Sequence, residues 1–461
     1  MRRLVAIVLS LSLILWVGNF QLIYAALSAN TVWEVETGGS DTNGGGFVTG
    51  SSGTDYSQQA SANPNGGNNG SSVLGSSAGT TTLTCSDCSF TSAITGNIIY
   101  VAGGSGSITA QWRQVTYASA TTVTMDTTIA SSSGMTINIG GALLSPGIAT
   151  KNATVAQMTI YIKYGSFTIT SASTNVAGGC MTSSVQIYVI GYNTNRTLTN
   201  TDSMPTLTLN SGVSSATIYN NSTYSVIRNI AFNGASQTTS KGITGNFTIA
   251  DRCTFTGFTS AADAAWVTVR SAATANSSTP FTGTGAIIGT ESYANTASGF
   301  ATTGLCLYCL GYNNTGGSSD GIDNGTTGVV VNSTFYGNGR DGIEGTGGNQ
   351  GFYLNNIVVN NGRYGHDLTG GLRVYFNDAV YGNVSGESLG SGKIFALPQV
   401  TITTSPFVNG GAGNLSLNSM AGGGPSVRQV AYPGTFESGS NTSYLDVGGI
   451  QHPNPTIATV Q

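Results

Sequence analysis

Charge is what this sequence has least of. Asp, Glu, Lys and Arg make up 7% of its 461 residues, against roughly 25% in an ordinary soluble domain. That excludes highly charged disordered chains. The 15 Lys and Arg against 19 Asp and Glu give a formal net charge of −4 with no basic run, so nucleic acid is not an expected partner. Proline is scarce, at 10 residues, and the 66 glycines follow no period of three, which excludes collagen. Helical periodicity is almost missing, which excludes bundles and coiled coils. What is present is a Gly-, Ser-, Thr- and Asn-rich chain in which short β-branched runs such as VQIYVIGYN, VIRNIAFNG and VVVNSTFYGN are cut by turn residues. These read as strands of an all-β protein.

Residues 1–26 read as a secretory signal peptide. Arg2 and Arg3 precede an apolar run over 4–17, and small residues place the cleavage after Ala25 or Ala26. The run is shorter than the roughly 20 residues a spanning helix needs. The expectation is a secreted, extracellular or cell-surface protein with no stable membrane insertion after cleavage. Export permits disulfides. The cysteines are Cys85, Cys88, Cys180, Cys253, Cys306 and Cys309. The two C-x-x-C pairs lie far apart with no His nearby to complete a zinc site. In a strand, Cys306 and Cys309 face opposite ways. Buried small apolar side chains or a local Cys85–Cys88 bridge are therefore expected.

The chain repeats. NSTFYGNGRDGI (332–343) aligns with NNIVVNNGRYGH (355–366) at an offset of 23, setting Asn338-Gly339-Arg340 on Asn361-Gly362-Arg363. Val358 steps to Val380, and Phe232 to Phe255. About six coils are visible over 225–395, with an apparent insertion at 260–285, and 158–225 is expected to add two or three more. Such a coil suits three short strands and three turns, each strand pairing in parallel with its counterpart about 4.8 Å above. Phe232, Phe255, Phe335, Val358 and Val380 would then form one inward column. Repeated Asn would stack at turns, where uncharged side chains avoid the repulsion of stacked charges.

The N-x-T-F-x-G-N-G-x-D-G-I texture, the opening VWEVETGGSDTNGGGF (32–47) and the closing AYPGTFESGSNTSYLDVGGIQ (431–451) resemble the right-handed parallel β-helix proteins of the pectate-lyase-like group. The resemblance implies a right-handed parallel β-helix and admits polysaccharide lyases, hydrolases, tailspikes and non-enzymatic surface proteins. The expected organisation is a signal peptide (1–26), an N-terminal β-cap region with a low-complexity loop (27–150), the β-helix (151–400) and a C-terminal cap (401–461). Residues 48–78 read as a surface loop, and the strands of 80–145 as a small antiparallel β-unit.

Six of the 19 acids fall between 320 and 378. The repeat sets Asp323, Glu344 and Asp367 on successive rungs as a ladder, with Asp320 and Asp341 beside it. Arg340 and Arg363 lie on the flank, and His366 and Tyr364 belong to the same patch. Stacked carboxylates repel, so they need a cation, an arginine or a proton held by a raised pKa. Calcium as cofactor, with Arg as base, would serve a lyase on uronic acids. A carboxylate pair would serve a glycoside hydrolase, with adjacent rungs near the roughly 5 Å spacing of retaining enzymes. In this reading Asp323, Glu344, Asp367, His366, Arg340 and Arg363 are catalytic, Asp320, Asp341 and Tyr364 bind substrate, and the metal is unknown. The alternative reading is structural: the Asp residues would cap their turns, and Arg340 and Arg363 would neutralise Asp341 and Asp367; no paired Asp-Asp, and no Gly-His-Gly followed by Arg-Ile-Lys, occurs in the sequence. Seven tyrosines between 308 and 381 lie near the acidic rungs and, if outward, could stack on sugar rings. The expected partner is polysaccharide, bound and in one reading cleaved on a lateral face. The alternative is a non-catalytic adhesion or structural β-helix. A tailspike is the third reading, disfavoured by the signal peptide.

Overall fold

The structure is a computed structural model. It describes residues 29–449 apart from 63–72, 76–80, 148–156, 171–175, 179–185, 197–202, 432–446 and interruptions of fewer than five residues. The segment read as a signal peptide (1–26) and Cys180 lie outside the described residues. The chain divides into two compact units, one built mainly from Gly39–Leu143 and one from Met158 onwards together with Trp33–Gly38.

In the first unit, Val73–Gly75, Thr82–Cys85, Ile98–Gly103, Ile108–Ser119, Thr122–Met125 and Ser133–Ile139 close into an antiparallel barrel. Alternation sends Leu83, Ile99, Val101, Val115, Val123 and Ile137 into its core. Closure leaves no unpaired edge. The stretch read as a surface loop at 48–78 thus contributes one strand, Val73–Gly75, whose Gly/Ser-rich surroundings conceal it. Cys85 and Cys88 form a disulfide.

The second unit is a solenoid of three parallel sheets. The first sheet runs from Met158–Lys163 to Ile394–Ala396, the second has 10 strands ending at Ala379–Tyr381, and the third has 9 ending at His366–Asp367. Each strand pairs in parallel with its counterpart one coil on. Connections between parallel strands of one sheet take the right-handed course. The fold is a right-handed parallel β-helix. The expected column exists in the second sheet: Phe232 faces Phe255, and Phe335, Val358 and Val380 stand in register. The rings of Phe232 and Phe255 stack at 5.1 Å with 6° between planes.

Two devices hold the coils in phase. After each first-sheet strand from Ser225–Arg228 to Arg373–Phe376 one residue enters the left-handed region, as at Asn229 (φ 59°), Arg252 (53°), Arg270 (46°), Asn332 (48°), Asn355 (57°) and Asn377 (57°). Asn tolerates this conformation better than most residues. After the second-sheet strands a buried side-chain ladder links Asn276, Asn295, Asn314, Asn338, Asn361 and Asn383. Each amide donates to the next Oδ1 at 2.9–3.0 Å. Oδ1 of the upper residue also accepts the lower residue's backbone N–H, as Asn361 does from Asn338 at 3.1 Å. Every buried donor so paired avoids a desolvation cost of about 1–3 kcal/mol.

Two expectations change. No insertion interrupts 260–285: Ser260–Asp263, Val267–Val269, Ala272–Thr274 and Phe281–Gly283 continue the three sheets. These coils are shorter, and Ala273 occupies the column position held by Phe255 one coil earlier, so the marker residues are missing although the backbone is regular. Cys306 and Cys309 do not diverge; they are disulfide-bonded. Tyr308 sits in the left-handed region (φ 55°), so the strand ends before Cys309 and both side chains turn into the core.

The described residues of the C-terminal cap include the hairpin Phe407–Asn409 and Asn414–Leu417. They pack on the outer side of the second sheet. There Phe407, Leu415, Leu417, Val427 and Val447 cluster with Tyr312, Tyr336, Ile357 and Val359.

Candidate functional site

The acid ladder forms in the expected register. Ile322–Asp323, Ile343–Glu344 and His366–Asp367 are successive strands of the third sheet, with Asp323 against Glu344 and Glu344 against Asp367. Alternation turns Ile322, Ile343 and His366 inward, all fully buried. The carboxylates therefore emerge on the outer face.

Arginines cover Glu344 and Asp367 of this line and Asp320 and Asp341 beside it, while Asp323 stands half-buried at its lower end. Arg340 donates through Nε and Nη2 to both oxygens of Asp320, at 2.8 and 2.6 Å, and lies 3.1 Å from Asp341. The same guanidinium pairs with Glu344, four residues on. Arg363 repeats this one coil higher: Nε donates to Asp341 Oδ1 at 2.9 Å, and Nη2 pairs with Asp341 Oδ2 and with Asp367 at 2.7 Å. Its guanidinium lies 4.8 Å from the Tyr364 ring centroid. Asp320 and Asp341 also cap the coil above, accepting from the backbone N–H of Asp341 at 3.1 Å and of Tyr364 at 2.9 Å. Their side chains are 1% and 0% exposed. Hydrogen bonding to Asp320 raises the Arg340 pKa, and hydrogen bonding to Asp341 does the same for Arg363, so both stay charged. The arrangement is a zipper of bidentate ion pairs.

His366 is sealed. Nδ1 lies 2.7 Å from Glu387 Oε2 and Nε2 lies 3.0 Å from Asp378 Oδ2. Burial disfavours the imidazolium, but the Glu387 and Asp378 carboxylates outweigh it and push the pKa to about 10. Both ring nitrogens thus lie against carboxylates in a fully buried position. Asp378 also accepts from the Asn356 backbone N–H at 2.7 Å, and the rings of Tyr353 and Tyr375 flank the imidazole. The repeat aligns His366 with Ile343, an inward position; Glu387, 21 residues on, carries no signal in the sequence.

The tyrosines divide. Tyr353 is 1% exposed and lies inside, Tyr312 and Tyr336 lie beneath the C-terminal cap, and Tyr364 remains half-buried beside the zipper. Among the described residues no group of three or more His, Cys, Asp or Glu side chains is placed to hold a metal ion. No helix among the described residues is long and apolar enough to cross a membrane.

No family model matches this sequence, and no curated protein does. Among solved structures, the chain is similar to ORF18 of Geobacillus virus E2 at 12% identity, covering 53% of this chain and 54% of that one, with a TM-score of 0.42. It is similar to the A-module of Azotobacter vinelandii mannuronan C-5 epimerase AlgE4 at 14% identity, covering 49% and 68%, TM-score 0.34. It is also similar to pectate lyase Pel9A at 13% identity, covering 67% and 91%, TM-score 0.36. The strand pairing of the chain itself defines its class: a right-handed parallel β-helix repeat protein.

Proposed function

We propose that this is an exported β-helix protein that binds polysaccharide along the outer face of its coils without cleaving it at the acid ladder. The observation that carries this reading is the arginine zipper. Asp320, Asp341, Glu344 and Asp367 are each held by Arg340 or Arg363, and the neighbouring histidine is enclosed by two carboxylates. A hydrolase needs one carboxyl free to give a proton and another free to attack or activate water; a lyase needs a base with access to substrate. Here Asp320, Asp341, Glu344 and Asp367 are spent on the two arginines, and His366 on Asp378 and Glu387. What supports binding is the character of the surface. A rigid stack of coils carrying hydroxyl, amide and few charged groups presents hydrogen-bond partners at a constant pitch, as a polymer of sugar hydroxyls does.

The test is incubation of the full chain with a panel of neutral and uronate polysaccharides. Retardation in affinity gels should occur without release of reducing ends or of unsaturated uronate. Product that forms with the wild type and disappears in Glu344→Gln would overturn the non-catalytic reading, and absence of retardation by every polymer would overturn the binding one.

A further inference from the structure

One surface feature takes no part in the zipper or the cap. Tyr224, Phe247 and Trp266 each immediately precede a first-sheet strand on successive coils. The backbone keeps them in register: Ser225 N–H donates to Phe247 O at 3.3 Å, Trp266 N–H to Thr248 O at 3.0 Å, and Ala286 N–H to Trp266 O at 2.9 Å. The side chains make a vertical column of rings. Tyr224 and Phe247 stack at 4.7 Å with 18° between planes, and Phe247 meets Trp266 edge to face at 6.1 Å. Phe247 is 39% exposed and Trp266 49%, among the most exposed large apolar side chains of the solenoid. Exposed aromatic groups in a defined arrangement mark binding surfaces more often than isolated apolar residues do.

The column stops above Trp266. The next two coils place Gly285 and Gly304 at the same position, shown by the bonds of Ala286 N–H to Trp266 O and Leu305 N–H to Gly285 O. At Gly285 a Cβ would come within 1.5 Å of Trp266 O, so no side chain fits there. The indole therefore borders a backbone-floored step. On these coils the third sheet ends in an outward polar group. Lys241 pairs with Asp263, and Thr282 Oγ1 donates to Asp263 Oδ1 at 2.7 Å. The Lys241 and Asp263 side chains are 40% and 33% exposed.

We propose that the top of this column is a binding platform for a neutral polysaccharide, with a pyranose ring laid on the Trp266 indole, which Phe247 braces edge to face from the coil beneath, and with the polar groups of Lys241, Asp263 and Thr282 on the same coils offered to its hydroxyls. The proposal rests on the polysaccharide-binding reading and names where, and which class. Aromatic rings offer large, stiff apolar faces that match the C–H-bearing face of a pyranose with equatorial substituents, as in β-linked glucans. Charge complementarity selects neutral sugar over uronate. The ammonium of Lys241 is already matched by Asp263, and a polyuronate would bring further carboxylates towards that acid. A protein partner would ask for a broader apolar patch than three side chains.

Trp266 also supplies the readout. Of the four tryptophans, Trp33 is 0% and Trp112 6% exposed while Trp266 is 49% exposed, and Trp16 precedes the expected cleavage site. The full chain is titrated with cellohexaose and soluble mixed-linkage β-glucan, and separately with polygalacturonate, following tryptophan emission and calorimetric heat. The neutral glucans should shift the emission to the blue. Trp266→Ala should weaken binding by about tenfold or more, with Phe247→Ala somewhat less, while the unfolding midpoint stays at the wild-type value. Neutral glucan binding that Trp266→Ala and Phe247→Ala leave unchanged overturns this site and leaves the polysaccharide reading standing. Binding of polygalacturonate alone, lost in Trp266→Ala, overturns the neutral class. Failure of the wild type to bind any polymer overturns both.

Discussion

The early and late coils of the solenoid are built by one repeat, yet they treat their outward aromatic columns in opposite ways. Late coils carry a tyrosine column in the second sheet, Tyr293 against Tyr312 against Tyr336. The first two rings stack at 5.1 Å with 4° between planes. The C-terminal cap closes over it. Phe407 meets Tyr336 edge to face at 5.5 Å, and the backbone at Gly410 comes so near that a Cβ would lie 2.5 Å from the Tyr336 ring. Early coils carry Tyr224, Phe247 and Trp266, and these stay in contact with solvent. Charge does not follow this division: early Asp251 is buried between Arg228 and Arg270 much as the late acids are under Arg340 and Arg363, although the early pair Lys241–Asp263 stands open. Stacking itself is thus neutral as to role; whether the chain covers a column decides between a structural and a binding surface.

The sharpest test of that contrast is Phe407→Ala. It removes a ring that is 5% exposed and should cost about 3–5 kcal/mol, read as a fall in the urea midpoint at constant slope. An equal cost for Trp266→Ala would erase the distinction between the columns. Next, Arg363→Ala leaves Asp341, fully buried, without its bidentate partner. Since the arginine side chain is 39% exposed, the loss expected for a broken buried pair is discounted to about 2–3 kcal/mol. Lys241→Ala should by contrast stay within about 1 kcal/mol. The two variants compared in one denaturation series decide whether zipper and open pair differ.

The third test is pH. An unfolded His366 titrates near 6.5, and in the fold the flanking carboxylates hold it at about 10. The folded state binds the proton more tightly, so this contribution is fully present below about pH 6.5 and is lost as pH rises towards 10. Unfolding free energies between pH 6 and 10 should fall, and His366→Gln should flatten the decline. The smallest effect is expected at Trp266→Ala itself: a change in stability within about 0.5 kcal/mol, seen in the same urea titrations.

Much of the coil register was legible because the repeat carries its own markers. Phe232 and Phe255, Asn338 and Asn361, and the line Asp323–Glu344–Asp367 are spaced as the alignment sets them. Where the markers change, the sequence goes silent. Across 260–285 alanine replaces phenylalanine and the coil shortens, so a regular backbone reads as an interruption. The Cys306–Cys309 bond depends on the backbone angle of Tyr308, which composition does not reveal. The site divides likewise. The positions of the acids follow from periodicity. The dual grip of Arg340 on the coil beneath and on its own coil is a matter of side-chain reach, as is the enclosure of His366 by Asp378 and Glu387. Trp266 escapes notice because its neighbours in the column are different aromatics at unequal offsets of 23 and 19 residues.

The asparagine ladder has an architectural corollary. Its members are spaced by 19, 19, 24, 23 and 22 residues, yet each amide meets the next in the same geometry. Coil length is therefore free to drift while the amides act as a vernier that resets the phase at every floor. A whole storey excised or duplicated from one asparagine to the next would leave that alignment intact, so the molecule is of a kind that can change height in discrete steps without redesigning its walls.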